Sequence, residues 1–301
     1  MNEINREIAL IGSAIGWGSG KLAGENGPGV LQHFGLEREL QARGITARWQ
    51  AIVESHPLIS DYALGDRAEA IPFVAAHTRN LASIVKQAVE SGKLPVTLGG
   101  DHSTAIGHYA GLTERLTPVE RIGIVWLDAH PDCNVPETSP SMACHGMALS
   151  AVLGYGAAEL ARSPALLRVR PENVCLVGTR SIDDGEREFI ARHAIKVFSI
   201  SEIERRGLRS VFEEALSIVT KNTVSFGLTI DLDALDPIDA PGVAFPEPNG
   251  IRGAELIAAL PLLLRHSSLL GIEISEYAPE FDSQLQTARL ASDILSAFAR
   301  R

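Results

Sequence analysis

Short apolar runs alternate with longer amphipathic runs along almost the whole chain, and that alternation constrains the fold more than any other feature. The short runs read as strands at Ile8–Ser13, Leu94–Leu98, Ile122–Leu127, Asn173–Val177, Lys196–Ser199, Val224–Ile230 and Leu269–Ile274, with an eighth through Thr46–Ile52. Most are rich in Val, Ile and Leu on both faces, as a parallel sheet covered by helices on both sides requires. The longer runs read as helices over Val30–Arg43, Phe73–Ser91, Thr104–Arg115, Met147–Leu160, Gly185–His193, Ser201–Lys221, Gly253–Arg265 and Ser283–Ala299. Strand and helix in alternation predict an α/β fold with a largely parallel sheet. A length of 301 residues would permit two domains. No composition shift, low-complexity stretch or internal repeat marks a boundary, so one domain over residues 1–301 is expected.

In such sheets ligands gather at the carboxyl ends of the strands. Polar residues cluster just after the apolar runs four times: Gly99-Gly100-Asp101-His102, Asp128-Ala129-His130-Pro131-Asp132, Asp231-Leu232-Asp233, and Glu276. Asp128, His130 and Asp132 alternate, so an extended backbone would turn all three to one side. Asp231 and Asp233 repeat the spacing. A lone Asp at a strand end is usually a helix cap or a turn residue. Two such clusters at two strand ends fit that account poorly, because like charges packed together repel and cations are the usual remedy. His102 follows two glycines that permit close backbone approach, and adds a second imidazole. Four aspartates and two histidines without a thiolate favour Mn²⁺ over zinc, with Co²⁺ and Ni²⁺ as alternatives. Six ligands exceed what one catalytic metal with an open position needs, and fit two ions bridged by shared carboxylates.

Composition narrows the partners. Lys and Arg number 27 against 37 Asp and Glu, a net charge of −10 at pH 7, with no basic run. Nucleic acid and anionic membrane surfaces are therefore not expected partners. The longest apolar run outside the first residues, Leu256–Leu264, contains Pro261 and is too short to span a bilayer. The first residues mix Glu3, Arg6 and Glu7 with a short apolar stretch broken by Gly12, which is not a secretory pattern. Cys133, Cys144 and Cys175 are an odd number with no CxxC pair, which argues against a disulfide framework or a cysteine zinc site. A cytoplasmic location is the expectation. Cys133 and Cys144 read as small packing residues, Trp17 as a packing or entrance residue, and the six histidines other than His102, His130 and His145 as surface or structural.

GGDHS (Gly99–Ser103), DAHPD (Asp128–Asp132), DLDALDP (Asp231–Pro237) and ISEYAP (Ile274–Pro279) occur in that order. Together they resemble the four signature blocks of the ureohydrolase superfamily, which includes arginases, agmatinases and formimidoylglutamases. The likeness runs from the Gly-rich stretch near Gly16–Gly29 to Glu276, and is most like a divergent bacterial arginase. It implies a single-domain, three-layer α/β sandwich with a central eight-stranded, mostly parallel sheet, and a Mn²⁺ pair. One ion would take His102, Asp128, Asp132 and Asp231; the other would take Asp128, His130, Asp231 and Asp233. The implied reaction is hydrolysis of a guanidino C–N bond, first of L-arginine to L-ornithine and urea. Agmatine or a guanidino acid such as guanidinobutyrate is the alternative substrate, and formimidoylglutamate a more distant one. The resemblance also implies a homo-oligomer, a trimer or hexamer.

The same resemblance assigns roles. A guanidinium carbon is a poor electrophile, and two cations supply a strong nucleophile by lowering a water's pKa. Asp132 is placed to hydrogen-bond that nucleophile and pass its proton to the leaving amine. Glu276 is placed to pair with the guanidinium, and His145 to relay protons. Asn134 and Ser141, in the loop after DAHPD, suit a substrate carboxylate because both donate hydrogen bonds. Asp183, in GTRSIDDGE, matches the position that meets an α-ammonium in arginases. Two places depart from the pattern. Ala143 stands where arginases commonly carry an Asn. Ala244–Gly250 (AFPEPNG) replaces the usual GTP followed by two glycines, and removes a threonine hydroxyl near the guanidinium end.

Overall fold

The structure, a computed structural model, describes residues 6–20, 24–55, 67–161 and 168–299. Residues 1–5 at the amino terminus, 21–23 of the Gly-rich stretch and His56 lie outside the described residues. Eight strands make one sheet: β1 (Ile8–Ser13), β2 (Ala47–Val53), β3 (Leu94–Gly99), β4 (Ile122–Leu127), β5 (Val169–Thr179), β6 (Lys196–Ser199), β7 (Ser225–Asp231) and β8 (Leu269–Ser275). Their order is β2-β1-β3-β8-β7-β4-β5-β6, and every neighbouring pair runs parallel. β1, β3, β4 and β7 are buried at every residue, so each needs cover on both faces. Parallel strands require crossover connections, and the crossover helices supply that cover.

Within β4 the two faces separate cleanly. Ile122, Ile124 and Trp126 join one apolar layer, and Val125 and Leu127 the other. The first layer includes helices Ile71–Glu90, Thr104–Thr113 and Ala148–Val152. The second includes Gly27–Phe34, Leu36–Ala42, Leu208–Val219, Gly253–Ala259 and Gln286–Ser296. This is the expected three-layer α/β arrangement, with the sheet parallel throughout rather than mostly so.

Several expected helices are broken. Val30–Arg43 becomes Gly27–Phe34 and Leu36–Ala42, because Gly35 takes φ 87 and its N–H caps the carbonyls of Leu31 and Gln32. Ser201–Lys221 divides at Gly207 into Ile200–Arg206 and Leu208–Val219. Gly253–Arg265 divides at Pro261, which has no N–H to continue the ladder. Met147–Leu160 keeps only Ala148–Val152 and Ala158–Ala161 as helix, and Ser283–Ala299 begins at Gln286. Apolar periodicity runs through one glycine or proline without a visible gap, so these breaks leave little trace in the pattern.

All three cysteines are buried free thiols, and burial pushes Cys144 and Cys175 up to about 12. Trp17 is buried in the first apolar layer, a packing position. No described helix is long and apolar enough to cross a membrane.

Two buried histidines make stability depend on acid. His77 Nε2 lies 2.9 Å from Ser13 Oγ, and His108 Nδ1 lies 2.8 Å from Thr97 Oγ1. Burial pushes His77 down to about 4 and His108 down to about 3. The unfolded chain, with histidine near 6.5, then binds more protons than the folded one across that interval. Their contribution is complete above about pH 6.5 and is lost as pH falls from there toward the folded values. The urea midpoint of the protein is expected to drop between neutral pH and pH 4, and His108→Gln to flatten that drop. An unchanged slope in the variant would contradict the assignment.

Candidate metal centre

Three strand ends close with the same local turn. Asp128 Oδ1 accepts from His130 N at 2.7 Å, Asp231 Oδ1 from Asp233 N at 2.8 Å, and Asp101 Oδ1 from Ser103 N at 3.0 Å. In each, a carboxylate accepts from the backbone two residues on and folds the chain over its strand. The D-x-[HD] spacing is thus a turn signature as well as a ligand pair. Asp128, His130 and Asp132 do converge, but not through the extended alternation that their spacing predicts. The chain leaves β4 at Leu127 and bends, and Asp132 takes φ 50 in the left-handed region. Glu276, just past β8, takes φ 61. A non-glycine residue there costs on the order of 1 kcal/mol, and tertiary contacts hold both. Leu149 N donates to Asp132 O at 2.8 Å, and Glu276 N to Gly100 O at 2.7 Å. A Cβ on Gly100 would sit 1.7 Å from Ile15 O, so only glycine admits this crossing of backbones.

The six expected ligands come together in two overlapping groups. His102, Asp128, Asp132 and Asp231 bring ligand atoms within 4.8 Å of one another, and so do Asp128, His130 and Asp233. Asp128 belongs to both groups; Asp231, expected to bridge, stands in the first only. His102 Nδ1 lies 2.9 Å from Asp132 Oδ2, 2.9 Å from Asp231 Oδ2 and 3.2 Å from Asp128 Oδ2. His130 Nδ1 lies 3.0 Å from Asp233 Oδ2. All but His130 are buried.

The donors fit a divalent cation. His102 faces three carboxylate oxygens, yet neither of its ring nitrogens closes a hydrogen bond. Burial first, then repulsion from neighbouring aspartates, pushes Asp132 and Asp231 up and Asp233 up to about 6. Burial also raises Asp128, but the imidazoles of His102 and His130 outweigh it and hold that carboxyl low. Oxygen and imidazole donors without sulfur suit Mn²⁺-like ions, and positive charge between these oxygens would relieve the strain among them.

A cavity of about 160 Å³ opens over the cluster, and Asn134, Ser141, His145, Asp183 and Glu276 all line it. Every substrate-contact residue expected from sequence therefore reaches one space. His145 Nδ1 lies 3.0 Å from Glu276 Oε1, which also accepts from His102 N at 2.9 Å. Burial opposes charge on His145, but Glu276 outweighs it and raises the imidazole to about 9. Burial raises Glu276 in turn, and His145 brings it below the usual carboxylate range. Asp183 caps helix Asp184–His193: its Oδ1 accepts from Glu186 N at 3.0 Å, and its Oδ2 accepts from Asn134 Nδ2 at 2.8 Å. One amide proton of Asn134 is therefore turned to Asp183 rather than to the cavity. Ser141 Oγ accepts from Ala143 N at 3.2 Å, a bond that leaves the hydroxyl proton unused. Ala143 itself is buried.

Sequence reasoning leaves out three neighbours. Phe245, from the departing loop, joins the cavity wall and packs against His145 with ring centroids 5.1 Å apart. Glu186 also lines the cavity, and burial with the charges of Asp132 and Asp183 pushes it up to about 8. Its only sequence signal, D-x-x-E at a helix start, reads as an ordinary capping box. Glu273 is fully buried in β8, with Oε2 3.6 Å from His102 Nε2. A lone acid in a strand covered on both faces is the signal that would have found it.

The sequence model of the Arginase family matches residues 6–299. The chain belongs to the arginase family. It is 35% identical to an arginase from Brevibacillus brevis over 297 residues, 98% of each chain. The native arginase from Bacillus caldovelox superposes with a TM-score of 0.89 at 33% identity, covering 98% of this chain and 99% of that one. The arginase from Entamoeba histolytica in complex with L-ornithine gives 0.89 at 26% identity, with the same coverage. The ureohydrolase likeness carried by the four blocks is borne out, and with it the fold. The protein is an arginase-type hydrolase.

The arginase-family cluster predicts a trade between stability with and without metal. Asp231→Asn keeps an acceptor for Asp233 N and replaces an acid whose ionisation burial and the neighbouring aspartates oppose with a neutral amide. The metal-free variant is expected to melt a few degrees above the metal-free wild type. Millimolar Mn²⁺ is expected to raise the Tm of the wild type and to leave that of the variant unchanged. A lower metal-free Tm, or a full metal-induced rise, in differential scanning calorimetry would refute this.

Proposed function

We propose that the chain hydrolyses L-arginine to L-ornithine and urea with two Mn²⁺ ions. His102, Asp128, Asp132 and Asp231 would hold one ion, and Asp128, His130, Asp231 and Asp233 the other. The observation that carries this reading is that six ligands from the ends of β3, β4 and β7 meet under one cavity, whose wall also holds Glu276 and Asp183. When bound, the ions supply the charge that lowers a water's pKa and so provide a strong nucleophile at neutral pH.

The remaining work falls to the chain. Glu276, kept ionised beside His145, pairs with the guanidinium and orients its carbon. Asp132 holds the proton taken from the attacking water and gives it to the leaving amine. His145, raised to about 9 and 18% exposed, carries a proton at neutral pH and exchanges it with solvent. Asp183 meets the α-ammonium. Ser141 and the second amide proton of Asn134 donate to the substrate carboxylate. L-Ornithine held by the Entamoeba histolytica neighbour supports an α-amino acid in this space. Agmatine would leave Ser141 and Asn134 unused, and guanidinobutyrate would leave Asp183 unused. The same family membership supports one domain over residues 1–301, a cytoplasmic location and a trimer or hexamer.

A urea-release panel on the Mn²⁺-loaded protein tests the reading, with arginine, agmatine, guanidinobutyrate and guanidinopropionate. Formimidoylglutamate is followed as released formamide. Arginine is expected to give the highest kcat/KM, and chelation to abolish turnover, with Mn²⁺ restoring it better than Co²⁺ or Ni²⁺. A higher kcat/KM for agmatine would overturn the assignment. Asp183→Asn keeps a cap acceptor but loses the charge. It is expected to raise KM for arginine by about tenfold or more while guanidinobutyrate is little affected. Equal effects on both would count against the α-ammonium role.

A further inference from the structure

We propose that Glu247, from the Ala244–Gly250 loop that departs from the family pattern, is the positioning residue for His130. The inference rests on the reading that His130 ligates the second ion.

His130 needs such support more than the other ligands. Its side chain is 27% exposed where those of the four aspartates and His102 are 9% exposed or less. Its ring has two distinct sides. Nδ1 faces Asp233 Oδ2 at 3.0 Å and Asp128 Oδ1 at 3.7 Å, and Nε2 faces Glu247 Oε1 at 3.5 Å. A ligating imidazole offers a lone pair from one nitrogen and carries its proton on the other. A carboxylate behind it fixes that tautomer and the angle of the ring. The other ligand imidazole is arranged the same way: His102 turns Nδ1 to three aspartates and Nε2 to Glu273 at 3.6 Å. Each histidine thus has its own glutamate on the side away from the cluster. Glu273 is locked in a central strand; Glu247 is on a loop.

That loop is fixed, and it is fixed to a ligand. Arg180, just past β5, donates from Nη2 to Glu247 O at 2.8 Å and to Asp233 O at 2.7 Å, and from Nε to Pro248 O at 3.0 Å. One guanidinium therefore joins the backbone of Glu247 to that of Asp233, the acid that faces His130 from the opposite side. Gly250 N donates to Asp236 Oδ2 at 3.2 Å and ties the far end of the loop to the same segment. A surface carboxylate near a histidine contributes little on average. This one is carried by a backbone anchored at Glu247 itself, at Pro248 and at Gly250, so only the side-chain torsions remain to be ordered for it to stand behind His130.

The test is a Mn²⁺ titration of metal-free wild type, Glu247→Ala and Glu247→Gln, following free Mn²⁺ by electron paramagnetic resonance and metal-free Tm by calorimetry. The wild type is expected to take two ions per chain. Glu247→Ala is expected to weaken one of them by about 10–100-fold and to leave the other within about twofold. Its metal-free Tm is expected to match the wild type. Glu247→Gln, whose amide oxygen can face Nε2–H as the carboxylate does, is expected to recover most of the affinity. In Glu247→Ala, kcat at limiting Mn²⁺ is expected to fall and excess Mn²⁺ to restore it. Two ions bound by Glu247→Ala with wild-type affinities would overturn the proposal, as would an equal weakening of both ions with a lowered metal-free Tm. Fewer than two ions in the wild type would overturn the ion-pair reading itself, and this inference with it.

Discussion

Four aspartates buried within a few ångströms of one another are the constraint on which the rest of this structure depends. Burial and mutual repulsion both work against their charge, and they raise Asp132, Asp231 and Asp233. Two imidazoles offset part of that, chiefly at Asp128. The remainder calls for cations, and is tolerated because the two apolar layers flanking the sheet hold the strand ends in place. The backbone strain at Asp132 and Glu276 has the same origin. Residues in sparsely populated conformations persist where surroundings over-determine them, and here the surroundings are the ends of buried central strands.

The sheet order explains why these groups meet. β3, β8, β7 and β4 are four consecutive strands in the middle of the sheet. Because all run parallel, their carboxyl ends share one edge. His102, Glu276, the Asp231–Asp233 pair and the Asp128–Asp132 segment follow those four strands in that order. The sheet therefore fixes where the turns that carry the candidate ligands begin, and longer loops fix what surrounds them. Asn134, Ser141 and Asp183 come from loops and a helix start, and Phe245 and Glu247 from a segment with its own anchor at Arg180.

The departing Ala244–Gly250 loop shows the two sides of that division in one stretch. Within it, Phe245 packs against His145. Two residues on, Glu247 turns to His130. A stretch that reads in sequence only as a missing hydroxyl supplies, in three dimensions, an aromatic wall and an acid behind a candidate ligand.

Much of the fold was legible because strand burial leaves a direct mark. A strand covered on both faces is apolar at nearly every position, so β1, β3 and β4 can be located from their apolar runs. Helix breaks at Gly35, Gly207 and Pro261 were less visible, since apolar periodicity continues on either side of them. The six candidate ligands were legible because their spacing and their position after apolar runs left few other uses for four acids and two histidines.

By itself the sequence determined the parallel sheet, the edge that carries the chemistry and the identity of the charged groups there, because these follow from local pattern and chain order. Only the tertiary structure decided how the ligands converge, through turns at Asp128 and Asp231 and a left-handed Asp132. It alone decided that Glu186 lines the cavity and that Glu273 and Glu247 back the two histidines. Those pairings join residues far apart in the chain, and the distance between two such side chains is set by the packing of the elements that carry them, which no local pattern encodes.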